Sequence, residues 1–212
     1  MEDNINTVNE TDQFPQDDSE PGLFGRYDPA GLKLSGKKYR IIRKIICTEF
    51  REWFGYTFGM RRILSHALKR GDTMPAIVVS TEPFIISLYS EDFDAVMLFR
   101  YPIALAERYS ISPGDRLTVS CCYVWRTSHN ELSEYIIPGP KAGNMFVDIA
   151  PYVQLFWAKD EKKIRTMLYH FSAEEWKYVE ELTSRFTSEH PGLVRDGFWS
   201  VRHDMMRWFS II

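Results

Sequence analysis

Five histidines, three cysteines and several acidic residues are the side chains of this sequence that could do chemistry. The histidines are His66, His129, His170, His190 and His203. None has the HxH, HxxxH or HExxH spacing that brings two imidazoles to one metal ion. His203 precedes Asp204, but neighbouring residues of a helix point about 100° apart. The sequence therefore predicts no metal ion and no cofactor.

Two of the cysteines, Cys121 and Cys122, stand side by side in the strand-like run RLTVSCCYVW. Adjacent residues of a strand point to opposite faces, so these thiols are not expected to share a metal ion. A disulfide between neighbours would need strained geometry. We interpret both as core residues, and Cys47 has no partner at a useful spacing. Such cysteine usage predicts a cytoplasmic protein with reduced thiols.

Acidic residues are the remaining candidates for catalysis or cation binding. Glu49 falls within an apolar helical stripe, and a buried carboxylate needs a partner or takes a raised pKa. Glu91, Asp92 and Asp94 cluster in a turn, where two of them could hold a divalent cation, although acidic turns are common. The sequence contains no nucleophile elbow, phosphate-binding loop or dinucleotide fingerprint. An enzyme would therefore need a site assembled from dispersed residues such as these acids and His203.

The stretch from residue 37 to residue 70 carries ten basic residues against two acids, Glu49 and Glu52. A basic face backed by an apolar stripe can meet nucleic acid, an anionic membrane or an acidic protein. The expected polyanion- or partner-binding residues are Lys37, Arg40, Arg43, Lys44, Arg51, Arg61, Arg62, Lys69 and Arg70. A solvated helix face without a partner is the alternative interpretation.

The N-terminal segment has the opposite charge. Residues 1–22 have almost nothing to bury, so they are predicted to form a disordered acidic leader, and they lack the layout of a signal peptide. Residues 1–35 contain eight acids against Arg26 and Lys33. We hypothesise that this leader screens the basic stretch and competes with any polyanion.

Helical elements are expected to position the basic stretch. Apolar residues from Ile42 to Phe54 follow helical spacing, although a strand over 39–47 remains open. Gly55 and Gly59 are expected to break or bend this element. A second helix is predicted around 60–68, followed by a terminating Gly71.

The middle of the chain is rich in strands. Four β-branched or aromatic runs, at 75–80, 84–90, 94–101 and 116–125, are divided by turn residues. Two of them, 84–90 and 93–101, are apolar on both faces and are expected to be central strands. A short helix is predicted at 103–109.

The last third of the chain begins after a predicted loop at 138–144. Residues 146–171 read as a strand, a charged turn at 159–163 and a second strand. Ser172 and Glu175 form a capping box, with Phe171 and Trp176 placed for a hydrophobic staple. The helix that follows ends before Pro191, and the aromatic segment 198–212 is predicted to be a C-terminal helix.

These patterns predict an α+β fold. We expect one domain over residues 23–212, with a mainly antiparallel sheet of about five to seven strands and flanking N- and C-terminal helices. No apolar run approaches the roughly 20 residues that cross a bilayer. The expected function is that of a non-catalytic soluble binding or interaction protein, with an unknown protein or polyanion partner. A nucleic-acid-binding protein that uses residues 37–70, or an enzyme with a dispersed site, are the alternatives.

Overall fold

The computed structural model describes residues 30–46 and 50–202, and within these ranges the side chains of residues 50–59 and 202 are not described. The predicted leader, residues 1–22, lies outside the described residues. So do Cys47, Glu49 and His203, which were candidates from the sequence.

Helices and strands alternate irregularly along the described chain. The helices are α1 (Gly36–Ile46), α2 (Phe50–Arg70), α3 (Ile103–Tyr109), α4 (Gln154–Trp157), α5 (Glu161–Met167), α6 (Ala173–Glu189) and α7 (Trp199–Arg202). A 3₁₀ turn, Leu168–His170, follows α5. The strands are β1 (Asp72–Thr81), β2 (Phe84–Ser90), β3 (Ala95–Arg100), β4 (Arg116–Trp125), β5 (Phe146–Val153) and β6 (Val194–Asp196).

The six described strands form one sheet with the order β5-β4-β1-β2-β3-β6. All neighbouring pairs are antiparallel except β3 and β6, which are parallel. The predicted α+β fold with a mainly antiparallel sheet is therefore confirmed. The expected central strands β2 and β3 are buried along almost their whole length.

An ion pair between Arg195 and Asp148 joins the two edge strands of this sheet. Arg195 belongs to β6 and Asp148 belongs to β5. The guanidinium Nη2 donates to Asp148 Oδ2 at 2.9 Å, and the other pair of atoms is also hydrogen-bonded. The same guanidinium lies 3.7 Å from the centre of the Trp199 ring. The sheet is therefore curled, so that its first and last strands come within side-chain reach.

Two apolar clusters cover the two faces of the sheet. The larger one packs α1, α2 and α4 against alternate strand residues such as Ala76 and Met97. The smaller one packs α6 against the residues in between, including Ile77 and Val96. Since alternate residues of a strand point to opposite faces, α2 and α6 lie on opposite sides of the sheet.

Helix α1 settles the question that the sequence left open over 39–47, because the described residues to Ile46 are helical. The expected break at Gly55 and Gly59 is wrong, since α2 runs without interruption from Phe50 to Arg70. Glycine costs about 1 kcal/mol in a helix relative to alanine. Burial of apolar side chains further along α2 offsets that cost; the buried residues are Met60, Leu64, Ala67 and Leu68.

Gly71 follows α2 as predicted, and close packing against neighbouring backbone explains why glycine is needed at this position. A Cβ at this position would lie 2.7 Å from the carbonyl oxygen of Cys121 and 2.6 Å from that of Ala67. Only glycine allows the end of α2 to approach β4 so closely.

The second strand that was expected after the charged turn is wrong. Residues 161–167 form α5, and the Asp160 side chain caps it by accepting a hydrogen bond from the Lys163 backbone N–H at 3.0 Å. Ile164 is buried, with Met167 and Leu168 partly buried three and four residues later. This spacing suits a helix better than a strand.

The predicted start of α6 is confirmed in detail. The Glu175 backbone N–H donates to Ser172 Oγ at 3.2 Å, and the Glu175 carboxylate accepts a hydrogen bond from the Ser172 backbone N–H. The rings of Phe171 and Trp176 lie 5.3 Å apart and complete the staple. Helix α7 forms the first turn of the predicted C-terminal helix, and residues 203–212 lie outside the described part. Within the described ranges, no helix is both long and apolar enough to span a membrane.

Candidate functional site

The exposed side of α2 carries most of the basic residues that the sequence singled out. Four cations are exposed on its last three turns, at Arg61, Arg62, Lys69 and Arg70, and His66 is exposed between them. The opposite side of the same turns is buried in the larger core. We call Arg61, Arg62, His66, Lys69 and Arg70 the basic face.

The spacing along the helix gathers these side chains. Arg62, His66 and Arg70 follow each other at intervals of four residues, so they lie on one side of the helix. From Arg61 to Arg70 the face extends over about 14 Å at 1.5 Å per residue. His66 was not among the predicted binding residues, although its position four residues from Arg62 and Arg70 is the signal that would have placed it here.

The basic face is not neutralised by the part of the fold that the structure describes. Residues 60–70 contain no acidic residue. Within the part of the chain that the structure describes, no ion pair and no side-chain hydrogen bond involves Arg61, Arg62, Lys69 or Arg70. Lys69 and Arg70 occupy the last turn of α2, where the helix dipole favours cations.

Helix α1 presents a smaller basic surface. Lys37, Arg40 and Lys44 are exposed, whereas Tyr39, Ile42 and Ile46 are buried. Arg43, another predicted binding residue, is only half-exposed. The side chain of Arg51 is not described, so the structure leaves its placement open.

Lys38 differs from its neighbours because its ammonium group is used inside the fold. Its Nζ donates to the Leu155 carbonyl oxygen at 2.9 Å and lies 3.1 Å from the Glu161 carboxylate. The ammonium also lies 5.6 Å from the centre of the Tyr109 ring. This lysine fastens α1 to the segment that contains α4 and α5.

The acidic turn between β2 and β3 is built differently from the basic face. Asp94 is 7% exposed, and its backbone has a φ of 44°, in the left-handed region. Its Oδ1 accepts hydrogen bonds from the hydroxyls of Tyr178 at 3.2 Å and Tyr89 at 3.4 Å. Its Oδ2 accepts the Lys141 backbone N–H at 3.1 Å. The Asp94 oxygens therefore hold the loop at 138–144 and α6 against the sheet.

A cation at this turn was one hypothesis from the sequence. Within the described ranges, no three His, Cys, Asp or Glu side chains are grouped to hold a metal ion. Burial, reinforced by the Asp94 carboxylate, raises the pKa of Tyr89, so its hydroxyl stays protonated and donates. The loop packs so closely that a Cβ on Gly139 would lie 2.6 Å from Asp94 Oδ2.

The adjacent cysteines behave as the strand geometry predicted. Cys121 is 1% exposed in the larger core, and Cys122, on the other side of β4, is partly buried. Burial raises the pKa of the Cys122 thiol to about 12 and that of Cys121 well above its usual value. Reactive cysteines have depressed rather than raised pKa values, so neither thiol is poised as a nucleophile.

Three described histidines besides His66 lie apart from one another in the fold. His129 is exposed in the loop after β4, and His170 is exposed in the 3₁₀ turn. His190 closes α6, with its ring 5.0 Å from that of Phe186.

A shallow groove of about 470 Å³ lies between β1 and α6. Its lining is apolar on the strand side and rich in hydroxyl groups on the helix side. The one carboxylate in the lining, Glu180, is paired with Arg116 at 3.0 Å. The carboxylate of the groove is therefore engaged in an ion pair on the surface.

An exposed aromatic surface at the end of the β4–β5 pair was missed from the sequence. Trp125 is 58% exposed, and its ring lies 4.9 Å from that of Phe146. Met145 beside them is 49% exposed. The run of alternating apolar residues in β4 predicted a strand there, but not that its last residue would emerge from the core.

Comparison with protein-family models, with curated protein sequences and with solved structures finds no match to this chain.

Proposed function

We propose that this protein is a non-catalytic binding protein and that its partner is a nucleic acid, held through its phosphates by the basic face of α2. The observation that carries the proposal is the exposed row of Arg61, Arg62, Lys69 and Arg70, which lacks an acidic neighbour in its own turns. Cations packed this closely create a positive potential that attracts a polyanion.

The net charge of the whole chain does not reflect the positive charge of the part that carries the basic face. The whole sequence has a formal charge of −3. Residues 1–29 contain eight acids and one arginine, so residues 30–212 keep 21 acids against 25 basic residues. The fold that carries the basic face is therefore positive by itself, as expected for a protein that binds phosphates.

The composition of the face favours nucleic acid over an acidic protein. Stable protein interfaces are anchored by buried aromatic or aliphatic side chains surrounded by polar ones. Neither α1 nor residues 60–70 of α2 contribute an exposed large hydrophobic side chain among those that the structure describes. The exposed ones lie elsewhere; they are Ile103, Trp125, Ile137, Met145 and Tyr169. Three of the four cations of the face are arginines, whose planar guanidinium matches phosphate oxygens two at a time.

The non-catalytic part of the proposal is supported by the hydrogen bonds of Asp94 and by the burial of the two described cysteines. Asp94 is occupied by hydrogen bonds to Tyr178, Tyr89 and Lys141. Cys121 and Cys122 are free thiols with raised pKa values, which also agrees with the proposed cytoplasmic location.

The test compares two double variants of the full chain by fluorescence anisotropy with labelled duplex and single-stranded nucleic acid. Arg62→Ala/Lys69→Ala removes one arginine and one lysine from the basic face. Lys177→Ala/Arg185→Ala removes the same pair of residue types from exposed positions on α6, across the sheet. The first variant should lose affinity at least about tenfold at low salt, since each charge-assisted contact contributes about 1.5–3 kcal/mol. The second should stay within about twofold of the original.

The salt dependence adds a second readout. Removal of two phosphate contacts should lower the slope of log K against log salt by about 2 for duplex DNA. Equal losses in the two double variants would place binding elsewhere. The proposal also fails if the chain does not bind at low salt, with or without its N-terminal acids neutralised, or if it binds an acidic polypeptide instead.

A further inference from the structure

The described chain joins the fold directly beside the basic face. The Leu32 backbone N–H donates to the carbonyl oxygen of Leu68, in the last turn of α2, at 2.8 Å. Leu32 is 2% exposed and packs in the larger core. The next two residues of α2, Lys69 and Arg70, are exposed members of the basic face. Residues 1–29 therefore precede a segment that contacts the last turn of α2, next to Lys69 and Arg70.

The N-terminal segment, residues 1–29, carries negative charge, which is opposite to that of the basic face. Residues 1–29 contain eight acids, which are Glu2, Asp3, Glu10, Asp12, Asp17, Asp18, Glu20 and Asp28. Arg26 is the one basic residue among them. Opposite charge at the point of attachment is the complementarity expected of an intramolecular partner.

We propose that residues 1–29 bind the basic face of α2 and compete there with nucleic acid. This inference rests on the proposed function for its competitor, but the contact itself does not depend on a ligand. The acids from Asp17 to Asp28 lie 15 to four residues before Leu32 in the sequence. At up to about 3.5 Å per residue they reach between about 14 and 50 Å, and the basic face is about 14 Å long.

Tethering makes even a weak contact effective. A short linker gives the attached segment an effective concentration in the millimolar range. Nucleic acid must displace the segment before it reaches the arginines. The apparent affinity of the protein for nucleic acid is therefore reduced in proportion to the fraction of molecules whose basic face is free. Competition between two polyanions should also weaken as salt rises.

The functional test neutralises part of the segment in the full chain. One variant carries Asp17→Asn, Asp18→Asn, Glu20→Gln and Asp28→Asn. Its control replaces four exposed glutamates of the fold by glutamine at Glu82, Glu107, Glu131 and Glu189, which changes the net charge equally. The first variant should bind labelled nucleic acid about tenfold more tightly than the original at low salt. The control should gain much less, and the advantage should shrink as salt is added.

A second measurement detects the contact without nucleic acid. A carbodiimide activates a carboxyl group as an O-acylisourea, and a nearby lysine amine displaces the urea by-product to form an amide. Mass spectrometry then identifies the joined peptides. Coupling of the N-terminal acids to Lys69 should exceed coupling to Lys177, an exposed lysine on α6, by about fivefold or more at low salt. High salt should remove the preference.

The outcomes separate the two proposals. Equal affinities of the original chain and the neutralised variant, with no preference for Lys69, overturn the intramolecular contact and leave nucleic-acid binding intact. Preferential coupling to Lys69 in a protein that binds no nucleic acid in either form supports the contact but overturns the proposed function.

Discussion

The basic face of α2 and the acidic turn around Asp94 are both clusters of charged residues, but the structure uses them in opposite ways. Asp94 is buried, and its oxygens receive hydrogen bonds from Tyr89, Tyr178 and the Lys141 backbone. The cations of α2 are exposed, with an apolar opposite side that holds them on the fold. The acidic turn therefore stabilises the structure, whereas the cations of the basic face make no ion pair with the part of the fold that the structure describes.

The difference shows that a charged cluster in a sequence does not reveal by itself whether it serves the fold or a ligand. A buried charge costs free energy unless it is hydrogen-bonded, so its partners lie within the molecule. An exposed charge costs little, so it can be left without an internal partner. Substitutions in the two regions should therefore affect different properties of the protein.

The largest effect on stability is expected from Asp94→Ala. The substitution removes the buried carboxylate that accepts hydrogen bonds from Tyr89, Tyr178 and the Lys141 backbone, and it places alanine at a φ of 44°. An unsatisfied buried polar group costs about 1–3 kcal/mol, and left-handed backbone about 1–2 kcal/mol for alanine. The free energy of unfolding, measured by urea denaturation, should fall by about 3 kcal/mol.

Two milder changes serve as controls for Asp94. Asp94→Asn keeps one acceptor oxygen and tolerates the left-handed backbone, so it should cost less. Tyr178→Phe removes a single donor and should cost about 1 kcal/mol. If Asp94→Ala left stability unchanged but abolished nucleic-acid binding, the acidic turn would belong to the functional site and the comparison would be wrong.

A smaller effect should come from pH through the thiol of Cys122. Its pKa of about 12 in the fold lies above the value of about 8.5 in an unfolded chain. The protonated thiol therefore makes its full contribution to the free energy of unfolding below about pH 8.5. That contribution falls as the pH rises, because only the unfolded chain releases the proton. Between about pH 8.5 and pH 10 the loss should approach 2 kcal/mol for this thiol.

Urea titrations at several pH values measure this effect, and the control Cys122→Ala should make the fall in stability less steep. The buried Cys121 thiol, whose pKa is also raised, contributes the pH dependence that remains. Site-resolved alkylation of the native protein should also be slow at Cys121 and Cys122 near neutral pH. Rapid native alkylation of either thiol would mean that it is not an interior group.

The smallest effect on stability is expected on the basic face. In Arg62→Ala/Lys69→Ala the better helix propensity of alanine offsets the lost interaction of Lys69 with the helix dipole. The free energy of unfolding should change by no more than about 0.5 kcal/mol, as for surface substitutions in general. A loss well above 1 kcal/mol would show that these cations have partners within the fold.

Local patterns in the sequence predicted the parts of the fold that depend on neighbouring residues. The capping box at Ser172 and the four runs between residues 75 and 125 are of this kind. The strand expected after Asp160 was wrong because a single side-chain cap and the spacing of Ile164 and Met167 select a helix. Gly55 and Gly59 did not end α2, because the tertiary packing of a helix can offset its local propensity.

The sequence was less informative about which charges remain available. The contacts of Asp94 reach 47 residues along the chain to Lys141 and 84 residues to Tyr178. No local pattern in a single sequence predicts contacts between residues so far apart along the chain. The position of Leu32 beside the last turn of α2 is likewise a long-range contact, visible only once the chain is folded.

Acetylation of surface lysines in the presence and absence of nucleic acid would test most directly where the protein binds. Full chains that carry Asp17→Asn, Asp18→Asn, Glu20→Gln and Asp28→Asn are treated with an amine-acetylating reagent at low salt. Mass spectrometry follows Lys69 on the basic face and Lys177 on α6. We predict that nucleic acid protects Lys69 several-fold and leaves Lys177 unchanged. Equal protection of both lysines, or protection of Lys177 alone, would contradict the assignment of the basic face as the binding surface.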